Sequence, residues 1–194
     1  MDDAISVTSR CFLSLILPAY NEEASIDQAV AEADDALRQF GVVYEIVVVD
    51  DGSQDQTATI LQQVMRDRPR VRLIRHDGNR GYGAALRTGF EAARGEHIAF
   101  TDADCQFHLA DLALLIPLSE RYSVAVGYRV DRQDSWLRRF YSRGYNFLAQ
   151  ILLGTSVRDI DCALKVFRRE ALATILPQTS GFFVNTEMLT RAQY

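Results

Sequence analysis

With 194 residues, 48% of them hydrophobic and 24% charged, the chain is long enough to bury its own core and has the make-up of a folded, water-exposed domain. A net charge of −5 argues against general nucleic-acid binding, so basic residues carry meaning only where they cluster. No apolar run approaches the roughly 18 residues that a spanning helix needs. Met1-Asp2-Asp3 places acids where a secretory leader carries cations, and Cys11, Cys105 and Cys162 lack metal-ligand spacing. Both features predict a reduced, cytoplasmic setting.

Residues 13–17 predict a short apolar strand ended by Pro18. Asn21 is placed to cap a helix whose first turn carries Glu22 and Glu23 at the positive end of its dipole. Ile26, Ala29, Val30, Ala33, Leu37 and Phe40 then recur at helical spacing until Gly41. Residues 46–49 predict a β-branched central strand running into Asp50-Asp51-Gly52-Ser53. Ser53 and Gln56 have the spacing of a capping box for a helix that buries Ile60, Leu61, Val64 and Met65. A third strand over 71–74 leads to the glycine-rich turn 78–83 and a helix ending at Arg94-Gly95. A fourth strand runs into Thr101-Asp102-Ala103-Asp104-Cys105-Gln106, followed by a predicted helix over 109–121 and a fifth strand over 123–126. Alternating strands and helices predict an α/β fold with a mostly parallel central sheet flanked by helices. The expected organisation is a single domain, 1–194, whose last helix, from Thr186, stops uncapped as though cut short at the C-terminus.

Polar clusters follow three of the strands: Tyr20, Asn21 and Glu22; Asp50 and Asp51; Asp102 and Asp104. In open α/β sheets ligands bind along the carboxyl edge. Singly, these acids read as helix caps; together they read as a site. On a continuing strand Asp102 and Asp104 would point to one face. With the Gln106 amide oxygen they can converge on one hard cation and leave positions open for phosphate oxygens. Asp-x-Asp spacing recurs at Asp159-Ile160-Asp161, so the pattern draws its weight from the motifs before it. His76, His97 and His108 share no ligand spacing and are expected to be structural or surface residues.

Those motifs, Pro18-Ala19-Tyr20-Asn21-Glu22-Glu23, Val49-Asp50-Asp51-Gly52-Ser53, Asn79-Arg80-Gly81-Tyr82-Gly83 and Asp102-Ala103-Asp104-Cys105-Gln106, together resemble glycosyltransferase family 2. More narrowly, they resemble the polyprenyl-phosphate glycosyltransferases, the group containing dolichol-phosphate mannosyltransferase. The resemblance implies the GT-A nucleotide-sugar-binding fold. It implies that Pro18, Tyr20 and Glu22 contact the nucleoside, that Asp51 bonds the base, and that Asp102 and Ala103 lie near the ribose and cation. It further implies that Asp104 and Gln106, with Asp102, hold Mg²⁺ or Mn²⁺, ions that suit all-oxygen ligands. Arg129, in Gly127-Tyr128-Arg129, and Arg143, in Ser142-Arg143-Gly144, would grip an acceptor phosphate, and Lys165 would face phosphate; Asp104, Arg129, Arg143 and Lys165 are thus the candidate catalytic residues. Glu187 is also expected to reach the site. Cys105, Phe107-His108-Leu109 and Tyr128 depart from the family's usual leucine, prolines and smaller residue, changes that bear on loop shape and leave the cation ligands intact.

The implied reaction transfers a hexose from GDP-mannose or a UDP-hexose to a polyprenyl phosphate (dolichyl or undecaprenyl) at the cytoplasmic membrane face, with inversion. A phosphate monoester is largely dianionic near neutral pH because its second pKa is about 6, so this acceptor needs no general base. Residues 129–143 hold five arginines against Asp131 and Asp134, a local +3. Leu137, Phe140, Tyr141, Phe147, Leu148, Ile151 and Leu152 recur at helical spacing. They fit either a helix lying in a membrane interface or an ordinary amphipathic helix packed on the sheet. A transferase acting on a saccharide or other non-lipid acceptor shares every nucleotide motif and is the alternative. A dinucleotide-binding dehydrogenase fails at Leu86, where its fingerprint needs glycine or alanine, and a non-catalytic module is the remaining reading.

Overall fold

The computed structural model describes residues 11–103, 108–128, 162–181 and 183–192. Strands β1 (Leu13–Ala19), β2 (Tyr44–Asp50), β3 (Val71–Arg75), β4 (His97–Phe100), β5 (Val124–Val126) and β6 (Lys165–Arg168) form one sheet ordered β3-β2-β1-β4-β6-β5. Strands β1 to β4 run parallel to one another, and β6 is antiparallel to both β4 and β5. The expected mostly parallel sheet is present. Its sixth strand, β6, is not among the predicted elements; it lies between β4 and β5, antiparallel to both.

Helices α1 (Ile26–Gln39), α2 (Thr57–Asp67), α3 (Tyr82–Ala92), α4 (Leu112–Ser119), α5 (Arg169–Thr174) and α6 (Val184–Arg191) cover both faces. Side chains alternate along a strand, so Leu13, Leu15, Leu17, Ile46 and Val48 pack with α1, α2 and α4. Ile16, Val47, Val49, Ile98, Phe100 and Phe167 pack with α3, α5 and α6 on the other face. Every residue of β1 and β2 is buried, the signature of parallel strands covered on both sides. The predicted α1 stripe is the buried one, Ile26, Ala29, Val30, Ala33 and Leu37. The helix predicted over 109–121 begins as a 3₁₀ turn at Leu109–Asp111 and continues as α4.

Two helix starts differ from expectation. The first helix begins at Ile26, not after Asn21, and the second at Thr57, without a bond from the Ser53 side chain. The residues that looked like caps have tertiary partners instead. The Asn21 amide donates to Ser53 Oγ at 2.9 Å, and the Gln54 amide donates to Asn21 Oδ1 at 2.9 Å. The Glu22 amide donates to Thr57 Oγ1 at 2.8 Å, and the Gln56 amide donates to Glu23 Oε2 at 2.9 Å. The loops after β1 and β2 are thereby laced into one rim, and Asn21 takes a left-handed φ of 56° to do it.

From β1 the chain runs outward to β2 and β3, then returns past β1 to β4. The order reverses between β1 and β4, and a crevice opens at such a switch point beyond the carboxyl ends. Pro18 fits there. The β1–β4 pairing ends at Ile16 opposite Phe100, so a proline beyond it forfeits no ladder bond to β4.

Candidate active site

The carboxyl ends of β1, β2 and β4 bring together Pro18 and Tyr20, Asp50 and Asp51, and Asp102 and Ala103. Tyr20 is 41% exposed at the end of β1, a ring open to stacking. Asp102 is half-buried, and its Oδ1 accepts from the Tyr82 hydroxyl at 2.8 Å. Glu22 is half-buried and accepts from the Ser25 hydroxyl at 2.6 Å. Asp104, Gln106, Arg129 and Arg143, the Asp159–Asp161 pair and the apolar stretch 136–153 lie outside the described residues.

Asp51 has a larger structural part than expected. Its buried carboxylate accepts at Oδ1 from the Arg80 amide at 2.9 Å and pairs with His76 Nδ1 at 2.6 Å. At Oδ2 it accepts from the Gly81 amide at 2.8 Å. An ionised carboxylate offers about four acceptor positions, so three are taken within the protein. The other nitrogen of His76 meets Thr88 Oγ1 at 2.9 Å, tying the pair to α3. His76 is thus structural, as expected, but its contact with Asp51 has no signal in ligand spacing. The signal was its position, directly after β3 on the same carboxyl edge.

The glycine-rich turn is held from two sides. Gly81 has φ 96°, and a Cβ there would lie 2.5 Å from the Ser180 carbonyl oxygen. Gly52, at φ 74°, lies so close to the turn that a Cβ would stand 2.5 Å from the Gly78 backbone. Only glycine serves at both points. The Gly83 amide donates to the Ser180 carbonyl at 2.8 Å, so the loop before α6 clamps the turn.

Glu187 holds that loop. It accepts from the Gln178 and Thr179 amides, each at 2.9 Å, and from the Thr179 hydroxyl at 2.8 Å, and it pairs with Arg191 at 3.3 Å. Burial alone would raise its carboxyl, but the Thr179 and Gln178 amides, the Thr179 hydroxyl and Arg191 outweigh it and hold the group below the usual range. A depressed folded value means that Glu187 stabilises fully above its unfolded pKa of about 4.3 and loses that effect as pH falls through the folded value. Glu187→Gln is expected to lower stability near neutral pH by roughly 1 kcal/mol. It should also flatten the loss of stability below about pH 4.3, read by urea unfolding across a pH series. An unchanged acid limb would refute this role.

Lys165, at the start of β6, is buried among protein partners. It is 1% exposed, and its ammonium donates to the Cys162 carbonyl and to Asn185 Oδ1, the latter at 3.1 Å. A buried cation needs such partners, and here they join β6 to α6.

Among the described residues no cluster of three or more His, Cys, Asp or Glu side chains could hold a metal. The donors that Asp102 brings and that Asp104 and Gln106 would add are all oxygen, which fits Mg²⁺ or Mn²⁺. A cavity of about 510 Å³ lies elsewhere, lined by Glu96, His97, Glu120, Arg168, Arg169 and Glu170. It sits at the amino end of β4, the opposite edge of the sheet, and its three glutamates suit it poorly to a diphosphate. Among the described residues no helix is long and apolar enough to cross a membrane.

The chain resembles known proteins along nearly its full length. It is 36% identical over 168 residues to an undecaprenyl-phosphate 4-deoxy-4-formamido-L-arabinose transferase of Edwardsiella ictaluri, covering 85% of this chain and 51% of the relative. It is 34% identical over 193 residues to the glycosyltransferase AglD of Haloferax volcanii, covering 93% of this chain and 31% of the relative. The chain thus spans about half the length, or less, of these curated relatives. Among solved structures, glucosyl-3-phosphoglycerate synthase from Mycobacterium tuberculosis, in complex with phosphoglyceric acid, superposes with a TM-score of 0.72 at 23% identity, over 94% of this chain and 68% of that one. TarS from S. aureus superposes at 0.61 and 20% identity, over 93% and 55%. These likenesses establish the GT-A type of fold. The family Glycosyl transferase family 2 matches residues 14–176, a span that takes in the sheet from Ser14 onward and the acids that follow β1, β2 and β4, and the chain belongs to that family.

Proposed function

We propose that this chain transfers a glycosyl group from a nucleoside-diphosphate sugar to a polyprenyl phosphate at the cytoplasmic face of a membrane, with inversion at the anomeric carbon. The observation that carries the reading is the placement of Tyr20, Asp51 and half-buried Asp102 directly after β1, β2 and β4, on one carboxyl edge of the sheet. The lipid acceptor is supported by the undecaprenyl-phosphate transferase among the relatives and by Arg129 and Arg143 in the chain. That relative's sugar widens the expected donors beyond GDP-mannose and the UDP-hexoses to a 4-deoxy-4-formamido-L-arabinose nucleotide.

Each residue then has a task. Tyr20 stacks on the base, Pro18 and Glu22 line the nucleoside, and Asp51 shapes the base pocket through the turn that it holds, with one acceptor position left for the base itself. Asp102, Asp104 and Gln106 would hold Mg²⁺ or Mn²⁺, while Ala103 between them is buried in the core. The cation, when bound, neutralises the charge that builds on the leaving diphosphate. Arg129 and Arg143 relieve repulsion between the acceptor and donor phosphates and fix the acceptor oxygen opposite the leaving group. The acceptor oxygen is already anionic, so no side chain needs to remove a proton.

Thermal shift against UDP- and GDP-sugars, with and without Mn²⁺, is expected to single out one donor whose stabilisation needs the metal. Incubation of that donor with undecaprenyl phosphate or with saccharide acceptors then reads the acceptor, and NMR of the product reads its anomeric configuration. Transfer only to saccharides would replace the lipid reading with the alternative. A product of retained configuration would overturn direct displacement.

A further inference from the structure

Tyr82 connects two motifs that the sheet keeps apart. Asp51 and Asp102 follow the carboxyl ends of β2 and β4, which lie on either side of β1. Asp51 pins the Arg80 and Gly81 amides above the end of β2. The next residue, Tyr82, reaches across to Asp102 Oδ1 at 2.8 Å. Its backbone has little freedom, because Gly81 packs against the Ser180 carbonyl and the Gly83 amide donates to it. Behind it, α3 lies close on the sheet, where a Cβ at Gly89 would stand 2.3 Å from Ile16 Cγ2. The Tyr82 ring is half-buried against the cluster under α3, so the hydroxyl is carried on a packed lever with only two side-chain torsions.

Resting on the reading of Asp102 as part of the cation and diphosphate site, we infer that Tyr82 is a positioning residue that fixes the orientation of the Asp102 carboxylate. Its backbone is set by the turn that Asp51 holds on the nucleotide side. Partners outside the ligand shell orient acidic ligands, and removing one typically costs 10–100-fold in metal affinity. Tyr82→Phe is the clean probe, since it keeps the packed ring and deletes one hydroxyl.

The test is made on the full chain with UDP and GDP as nucleotides and Mn²⁺ as the metal, following unbound Mn²⁺ by electron paramagnetic resonance. Tyr82→Phe is expected to raise the Mn²⁺ dissociation constant in the nucleotide complex by roughly tenfold or more. Metal-free nucleotide affinity, by calorimetry, and the melting temperature should stay at wild-type values. Equal Mn²⁺ affinity in both proteins would overturn the inference and leave the donor reading standing. Parallel losses of metal-free nucleotide affinity and of Mn²⁺ affinity would also overturn it, since they would mark a general loosening. A wild-type protein that takes up no Mn²⁺ with either nucleotide would overturn both readings.

Discussion

Asp102→Asn is expected to cut metal-dependent transfer by about 10²–10³-fold, because stabilising the charge on a leaving diphosphate is worth several kcal/mol and each 1.36 kcal/mol is a factor of ten. The substitution nearly conserves shape, and the asparagine oxygen can still accept from Tyr82, whose hydroxyl meets Asp102 Oδ1 at 2.8 Å. What is lost is one negative charge at the crevice. Stability should therefore change little, within about 0.5 kcal/mol for a partly exposed position without a core role. The measurement is the initial rate of nucleotide release from the preferred sugar donor over a range of Mn²⁺ concentrations, beside a melting curve. A rate that survives the substitution would remove Asp102 from the chemistry and with it the proposed role of the β4 end.

The rim itself was legible because its grammar is strong and local. Val47, Val48 and Val49 run straight into Asp50 and Asp51, and Ile98, Ala99 and Phe100 run into Thr101 and Asp102. Apolar runs of this kind become buried parallel strands, and parallel strands put their carboxyl ends on one edge. The division of labour along that edge was not legible. Asp51 turns to the Arg80 and Gly81 amides some thirty residues away, a contact that exists only because β3 lies beside β2 and delivers the turn there. The same holds for Asn21 and Ser53, whose capping signals are real but lose to each other across the rim. Local preference gives way where tertiary partners are in reach. Lys165 is the converse case. The family resemblance gives it a phosphate to face, and local sequence gives no sign of the partner that its place at the start of β6 brings within reach, Asn185 Oδ1.

Asp51→Asn is expected to lower stability by about 2–4 kcal/mol, the consequence of losing charge-assisted bonds and leaving a buried donor without an acceptor. The carboxylate faces donors on both oxygens: the Arg80 amide and His76 Nδ1 at Oδ1, and the Gly81 amide at Oδ2. An asparagine must present its NH₂ to one side, so whichever way it turns a donor meets a donor. The melting temperature should fall by roughly 5–10 °C for a domain of this size, and nucleotide affinity should fall with it as the turn 78–81 relaxes. This pattern separates two roles that sequence alone cannot. Were Asp51 only the partner of a base, asparagine would weaken nucleotide binding and leave the unliganded protein as stable as before. Urea unfolding without nucleotide decides the matter, because it reads the turn with no base present. An unchanged unfolding midpoint there would return Asp51 to the base alone and cut the link through which His76, the glycine turn and Tyr82 act on the crevice.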